Sequence, residues 1–321
     1  MIRTTRTQRI EKLKRRFPST NKSRKQGQKT IVSRALANHI CKMILARSPE
    51  RGARWLKRSI LPALPLDSAW CKVLSKFANW LETLESSDEV FSDVFNLEGN
   101  DKLPFAAFST LPGFTCPGAG DCLNWCYSYR AWRYPASFAR QLANTVLMHH
   151  RRDIVERAFL ALPENHTVRL YVDGDIEDEQ TLAFWCELMR RRSDLNCYGY
   201  TKSWGVFINY GMLNRFPDNY VINESSGSIY GEREAIVFRN LKRDDGSNLV
   251  RGRFVGVQVK GFGRGVKRFS KSGYHKAVRD AAKEDFGVRA ISCPGKCGNC
   301  GVKKHMCGDS NVLPLIAIGI G

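Results

Sequence analysis

Apolar positions follow two different rhythms along the chain. From Thr30 onward Ile31, Ala35, Ile40, Met43, Ile44 and Ala46 recur at roughly helical spacing, and beyond Pro62 and Pro65 a second run follows with Trp70, Val73, Leu74, Phe77, Trp80 and Leu81. Residues so spaced line one face of an amphipathic helix, so two or three helices are predicted. Asp67 stands directly before the second run, where its carboxylate can accept from the free amides of the first turn, and is the expected N-cap. Residues 1–29 are polar and basic without a clear period and read as a flexible arm that orders on a partner.

After an acidic connector near Glu82 to Asp101 the rhythm changes to alternating short β-type runs and helical runs. A long helix is expected over Ser137 to Leu162, a strand over Val168 to Asp173, a helix over Glu179 to Arg192 and a strand over Asn196 to Thr201. Further strands at Tyr220 to Asn223, Phe254 to Lys260 and Val288 to Ser292, with a helix over Tyr274 to Asp285, extend the series. Repeated β-α-β order favours parallel pairing. The expected fold class is therefore α/β, a parallel sheet or partial barrel with Cys-rich metal-binding segments, preceded by a basic helical N-terminal region. Residues 1–100 and 101–321 form the expected division.

Composition supports folding, since 43% apolar and 11% aromatic residues in 321 suffice for a packed core. No run of about 18 apolar residues occurs, and no apolar segment follows the basic N-terminus, so neither a membrane span nor a secretory signal is expected. The net charge is +20 and is concentrated: residues 1–60 hold eighteen Lys and Arg against two acids, Glu11 and Glu50. Such a segment releases counterions from a nucleic-acid backbone and binds in a salt-sensitive way. Arg15, Arg16, Arg24, Lys25, Lys57 and Arg58 are the candidate contacts, with a solvated tail or an anionic membrane surface as the competing readings. No apolar face over the first thirty residues supports the membrane.

Seven of the eleven cysteines fall into two groups, Cys116/Cys122/Cys126 and Cys293/Cys297/Cys300/Cys307. Bunched thiols without an export signal are expected in a reducing cytoplasm, as ligands rather than disulfides. Both groups open with Cys-Pro-Gly, which lets the backbone wrap an ion and turn amides toward thiolate sulfurs. Four thiolates in the second group could close a tetrahedral zinc site. Equally, Cys293-x3-Cys297-x2-Cys300 has the spacing used by radical S-adenosylmethionine enzymes. The first group offers three cysteines, the number that leaves one iron of a four-iron cluster open. In those enzymes the motif follows the first strand, whereas the second group follows the last predicted one, and Cys307 could supply a fourth ligand. Zinc and an iron-sulfur cluster both stand as cofactors. Cys41, Cys71, Cys186 and Cys197 lie in apolar contexts and read as core residues. His305 could substitute as a ligand, while His149 and His150 are expected to face solvent.

Catalytic candidates sit at strand ends. Asp173-Gly174-Asp175 closes one strand, Tyr200-Thr201-Lys202-Ser203 the next and Asn223-Glu224-Ser225-Ser226-Gly227 the third, and parallel α/β folds gather their sites at such ends. Asp173 and Asp175 could hold Mg²⁺, against the plainer reading of an Asp-Gly turn. Lys202 completes the set. Trp125, Tyr127, Tyr129, Arg130, Trp132, Arg133 and Tyr134 mix rings and cations around Cys126, which suits base stacking beside phosphate contacts or, equally, core packing. The loop Gly261 to Gly265 carries one arginine and is a weak phosphate candidate.

The order Cys-Pro-Gly-Ala-x-x-Cys-x-x-x-Cys-Tyr at 116–127, Val-Asp-Gly-Asp at 172–175, Tyr-Thr-Lys-Ser at 200–203 and the terminal cysteines resembles the gene product 88 family of phages and plasmids. With its basic extension, the chain is also similar to replication proteins of broad-host-range plasmids of the pSa type. The resemblance implies an origin-binding initiator with DNA as partner, and implies no catalytic residue. No P-loop or paired-histidine nicking motif occurs, so an initiator of this kind would recruit host replication proteins. The rival expectation is an iron-sulfur enzyme acting on nucleic acid or nucleotides.

Overall fold

The computed structural model describes residues 5–17, 33–97, 103–259, 270–293 and 315–320. The chain divides into two compact units, Met1–Val94 with Tyr127–Arg157, and Phe95–Cys126 with Ala158–Gly321.

The first unit is helical. It contains α1 (Arg6–Arg16), α2 (Arg34–Leu45), α3 (Pro49–Trp55), α4 (Ala69–Thr83) and α6 (Pro135–His150), with a four-residue α5 (Cys122–Trp125) belonging to the second unit. A regular α1 corrects the expectation of an unstructured arm over this stretch. Thr5 and Gln8 form a reciprocal capping box that satisfies amides at its start. The Arg6 guanidinium, Nε and Nη2, donates to the carbonyls of Leu64 and Leu61 at 2.8 and 3.0 Å, which anchors the helix. Ser68, not Asp67, caps α4: its hydroxyl accepts from the Cys71 amide at 3.1 Å. Serine wins because it is one residue closer to the first turn. Leu74, Phe77, Trp80 and Leu81 of the predicted run are buried in α4 as expected. The long helix expected over 137–162 is broken at Arg151, whose φ of −144° departs from the helix, into α6 and α7 (Arg152–Leu160).

The second unit is α/β. Its strands are β1 (Ala106–Ala107), β2 (Thr167–Arg169), β3 (Asn196–Thr201), β4 (Tyr220–Ser225), β5 (Val250–Gln258), β6 (Ile291–Ser292) and β7 (Leu315–Ile320). Every pairing is parallel and the spatial order is β1-β2-β3-β4-β5-β7-β6. Its helices include α8 (Glu179–Arg191), α9 (Trp204–Gly211), α10 (Glu232–Arg239) and α11 (Lys271–Phe286). From β1 to β5 each strand is placed beside its predecessor without reversal. With crossovers of constant hand, that order puts successive helices on one face of the sheet, as in a barrel and unlike a doubly wound sheet.

Packing agrees. Trp185 of α8 meets Phe108 at 5.1 Å between ring centroids, Phe207 of α9 meets Tyr220 at 6.5 Å, and Val278 and Ala282 of α11 pack on Val255, Val257 and Ala317. The opposite face carries Tyr198, Tyr200 and Val221 against Leu103 and Phe105. Two strands, β1 and β7, were absent from the expected series, as were the helices α9 and α10. β1 precedes the first cysteine group, and β7 follows the second, which therefore does not come after the last strand as expected.

Trp185 is the pivot of the helix-side core, fully buried among Phe95, Phe108, Phe159 and Tyr171, with its indole N–H donating to Tyr171 Oη at 2.9 Å. Replacing it by alanine removes the ring contacts and leaves a cavity. Trp185→Ala is expected to cost about 3–5 kcal/mol, read as a lower urea midpoint in equilibrium unfolding.

Candidate functional site

Behind β2 the chain turns inward and buries Asp175. Its Oδ1 accepts from the Thr201 hydroxyl and the Ile176 amide, both at 2.8 Å, while Oδ2 accepts from the amides of Lys202 at 2.8 Å and Ser203 at 3.3 Å. Burial pushes the carboxyl above its usual range, opposed by those donors and by the Lys202 charge. Four donors around two oxygens make this side chain a staple between the ends of β2 and β3. The expectation of Asp175 as an open Mg²⁺ ligand is corrected on that ground, since no oxygen is left facing outward for a cation. Asp173 is half-buried beside it, and its main-chain carbonyl accepts from the Thr110 amide at 2.9 Å.

Holding the backbone of residues 201–203 also aims Lys202. Its ammonium donates to Ser225 Oγ at 2.6 Å, which joins the end of β3 to that of β4. The Ser203 hydroxyl is buried and makes no hydrogen bond among the described residues. Three strand ends expected to converge are thus in contact.

The loop carrying the first cysteine group docks on these ends. The amides of Gly120 and Cys122 donate to the Gly227 carbonyl at 2.9 and 3.3 Å, and the Ile229 amide donates to the Gly118 carbonyl at 3.0 Å. Ser228 Oγ donates to the Lys202 carbonyl at 2.7 Å and lies 3.1 Å from that of Gly118. The approach is so close that a Cβ on Gly118 would stand 1.9 Å from the Lys202 carbonyl oxygen, and Gly227, at a φ of +79°, lies against Cys122 and Trp125. Only glycine meets both demands. Sequence reading had named the strand end through Gly227 but missed Ser228 and the role of Gly118. The signal was the small-residue pair, Gly-Ala-Gly at 118–120 and Ser-Gly-Ser at 226–228, each half of one interlocked contact.

Cys116, Cys122 and Cys126 consequently share one electrostatic neighbourhood. Burial raises the Cys116 thiol far above its ordinary value, and the charges of Asp175 and Cys126 add to this, whereas the Gly113 amide and Lys202 oppose it. Cys122 is raised mainly by burial, with Lys202 again opposing. The Gly113 amide donates to Cys116 Sγ at 3.4 Å. Among the described residues no three His, Cys, Asp or Glu side chains converge on one point as a single bound ion requires. A lone zinc would need every thiolate about 2.3 Å from its centre.

Glu224, the neighbour of Ser225, points to the helix side. Arg239 of α10 makes two hydrogen bonds to its carboxylate, one of them at 2.9 Å, and Arg253 of β5 a third at 3.3 Å. Arg239 also pairs with the exposed Glu232 at 2.6 Å. This cluster ties α10 to the sheet.

Of the remaining candidates, Cys293 stands at the end of β6 with its amide donating to Ala317 at 2.9 Å. Cys297, Cys300, Cys307, His305, Arg24, Lys25 and the loop 261–265 lie outside the described residues. Cys41, Cys71, Cys186 and Cys197 are buried, as expected of core thiols, and His149 and His150 are exposed. Trp132 is corrected from a base-stacking residue to a core one: it is 3% exposed, its indole N–H donates to Gln141 at 2.8 Å, and Phe138 and Tyr129 pack edge-on against it. Arg130 is exposed and Arg133 half-buried. Arg15, Arg16 and Arg58 are exposed, whereas Lys57 is paired with Glu82 at 2.5 Å. No described helix is long and apolar enough to cross a membrane.

Asp175→Asn keeps the shape but turns an acceptor into an amide donor facing the N–H groups of Lys202 and Ser203. A loss of about 3 kcal/mol is expected, because hydrogen bonds to a buried charge are replaced by donors facing each other. Urea unfolding would measure it, and a stability within 0.5 kcal/mol of the parent would show that the staple is dispensable. No curated protein and no solved structure matches the chain closely enough to compare. A family model described as Gene product 88 matches residues 82–305, a stretch that takes in the strand ends, Lys202 and both cysteine groups except Cys307. The chain belongs to the gene product 88 family.

Proposed function

We propose that the α/β unit holds an iron-sulfur cluster on Cys116, Cys122 and Cys126 and acts on a nucleic acid or nucleotide. The observation that carries this reading is positional. The three-cysteine loop directly follows the first strand of an unreversed parallel sheet and locks onto the ends of β3 and β4 beside Lys202. Sites of parallel α/β folds gather at those ends. Three thiolates with no fourth leave one iron of a four-iron cluster open, and such a cluster supplies a one-electron reductant with a vacant coordination position. The three thiols lie within the eleven residues Cys116–Cys126. The Gly113 amide and the Lys202 ammonium offset thiolate charge, and Asp175 acts as a positioning residue for Lys202. Cys293, with Cys297, Cys300 and Cys307, would form a separate four-thiolate zinc site.

A second reading is favoured by the charge distribution: a plasmid or phage replication initiator whose basic N-terminal region grips DNA and which recruits host replication proteins. In that reading metal serves folding alone.

Anaerobic purification with iron, sulfide and zinc analysis separates the two. The cluster reading expects a brown protein with about four irons on this loop, bleached by reductant. Cys122→Ser should lose the visible absorbance while Cys41→Ser, a core substitution, keeps it. A colourless protein carrying zinc and no iron would sink the cluster. Initiation predicts that origin DNA is bound on the order of 10³-fold or more tightly than unrelated duplex at equal salt in gel-shift titration, and equal affinities would count against it.

A further inference from the structure

Past Trp55 the helix α3 continues as a π-helical turn over Leu56–Ile60, and a groove of about 330 Å³ on this segment is lined by Arg51, Arg54, Trp55, Arg58 and Ser59. π-helical turns are rare and concentrate at functional sites. Arg51, Arg54 and Arg58 are exposed. Their charge is largely unspent: Arg54 makes one exposed pair with Glu50 at 3.5 Å, and Arg51 and Arg58 make no salt bridge among the described residues. By contrast, Arg151, Arg157, Arg190, Arg192 and Arg239 are each held by one or more carboxylates.

Around the groove the positive character deepens. Arg47 sits over the Trp55 ring at 5.9 Å, the His39 ring meets Trp55 edge-on at 5.6 Å, and Phe17 stacks on His39 at 5.1 Å. His39 titrates below its ordinary value, first through burial and then through the charges of Arg16, Arg47 and Lys42. An aromatic ring beside guanidinium groups of which only Arg54 meets a carboxylate suits an extended polyanion. Seven residues at about 1.5 Å each place Arg51 and Arg58 roughly 10 Å apart along the axis.

From this geometry we infer that the groove of Arg51, Arg54, Trp55 and Arg58 binds the phosphodiester backbone of a nucleic acid through its three guanidinium groups. The contact is sequence-independent. Lys57, committed to Glu82, is not part of it. This assignment rests on the reading of nucleic acid as the partner, and it fixes where that partner is held.

The test is fluorescence anisotropy of the full chain with a labelled duplex of unrelated sequence, titrated at several salt concentrations. Removing three phosphate contacts should reduce the slope of log K against log salt by roughly 2.7, at about 0.9 per contact. Arg51→Ala/Arg54→Ala/Arg58→Ala is expected to show that reduction, and the matching triple lysine variant to restore the parent slope. If the triple alanine variant fails to fold by circular dichroism, Arg58→Ala alone should lower the slope by about 0.9. A folded alanine variant with the parent slope would overturn the groove while leaving nucleic acid as the partner. Loss that lysine does not restore would equally overturn it, as structural damage. Failure of the parent protein to bind any duplex would overturn both the groove and the partner.

Discussion

A carboxylate as deeply buried as that of Asp175 is tolerated only where donors replace the water it has lost, and here each of its two oxygens receives two. That requirement dictates the rest of the sheet edge. The backbone after β3 must bend so that the amides of Lys202 and Ser203 point back at the acid, which turns the Lys202 carbonyl the other way, toward Ser228. Once Ser228 is held there, the loop after β4 presents the Gly227 carbonyl to the amides of Gly120 and Cys122. The cysteine loop is therefore positioned by a chain of contacts that begins at one buried charge.

Charge is used in two ways along the chain. In the α/β unit it is internal, as where Glu224 is shared by Arg239 and Arg253 and fastens a helix to a strand. On α3 and the π-helical turn that continues it, three arginines meet only one exposed acid. Exposed pairs contribute little to stability, so leaving such groups unpaired costs the fold almost nothing. Net charge alone does not make this distinction, because Lys57 and Arg58 are neighbours in sequence and only the first is neutralised.

Much of the α/β unit was legible. Asn196–Thr201 coincides with its expected strand, because a short β-type run between polar turns has few other solutions, and α8 falls within one residue of its expected end. Two-residue β1 and helices α9 and α10 were not legible: β1 is too short to show alternation, and the other two are eight-residue segments whose apolar residues point in several directions. Aromatic residues around Cys126 gave an ambiguous pattern. Tertiary context divided them, taking Trp132 into the core and leaving Tyr127 and Tyr134 exposed. At the site, the strand-end polar residues were visible from sequence, whereas the saturation of Asp175 depends on long-range donors that periodicity cannot show.

The position of β7 bears on the order of assembly. It follows β6 in the chain yet lies between β5 and β6 in the sheet, pairing Arg253 with Leu315 and Ile291 with Ile316. Until Leu315–Ile320 arrives, the two residues of β6 have no neighbouring strand and the edge of β5 stays open. Closing so long a stretch of chain is entropically slow, and an open parallel edge is a template for mispairing during that interval. β7 is thus inserted between two strands that precede it in the chain, and its six residues cover the long edge of β5, leaving only the two-residue β6 at the rim.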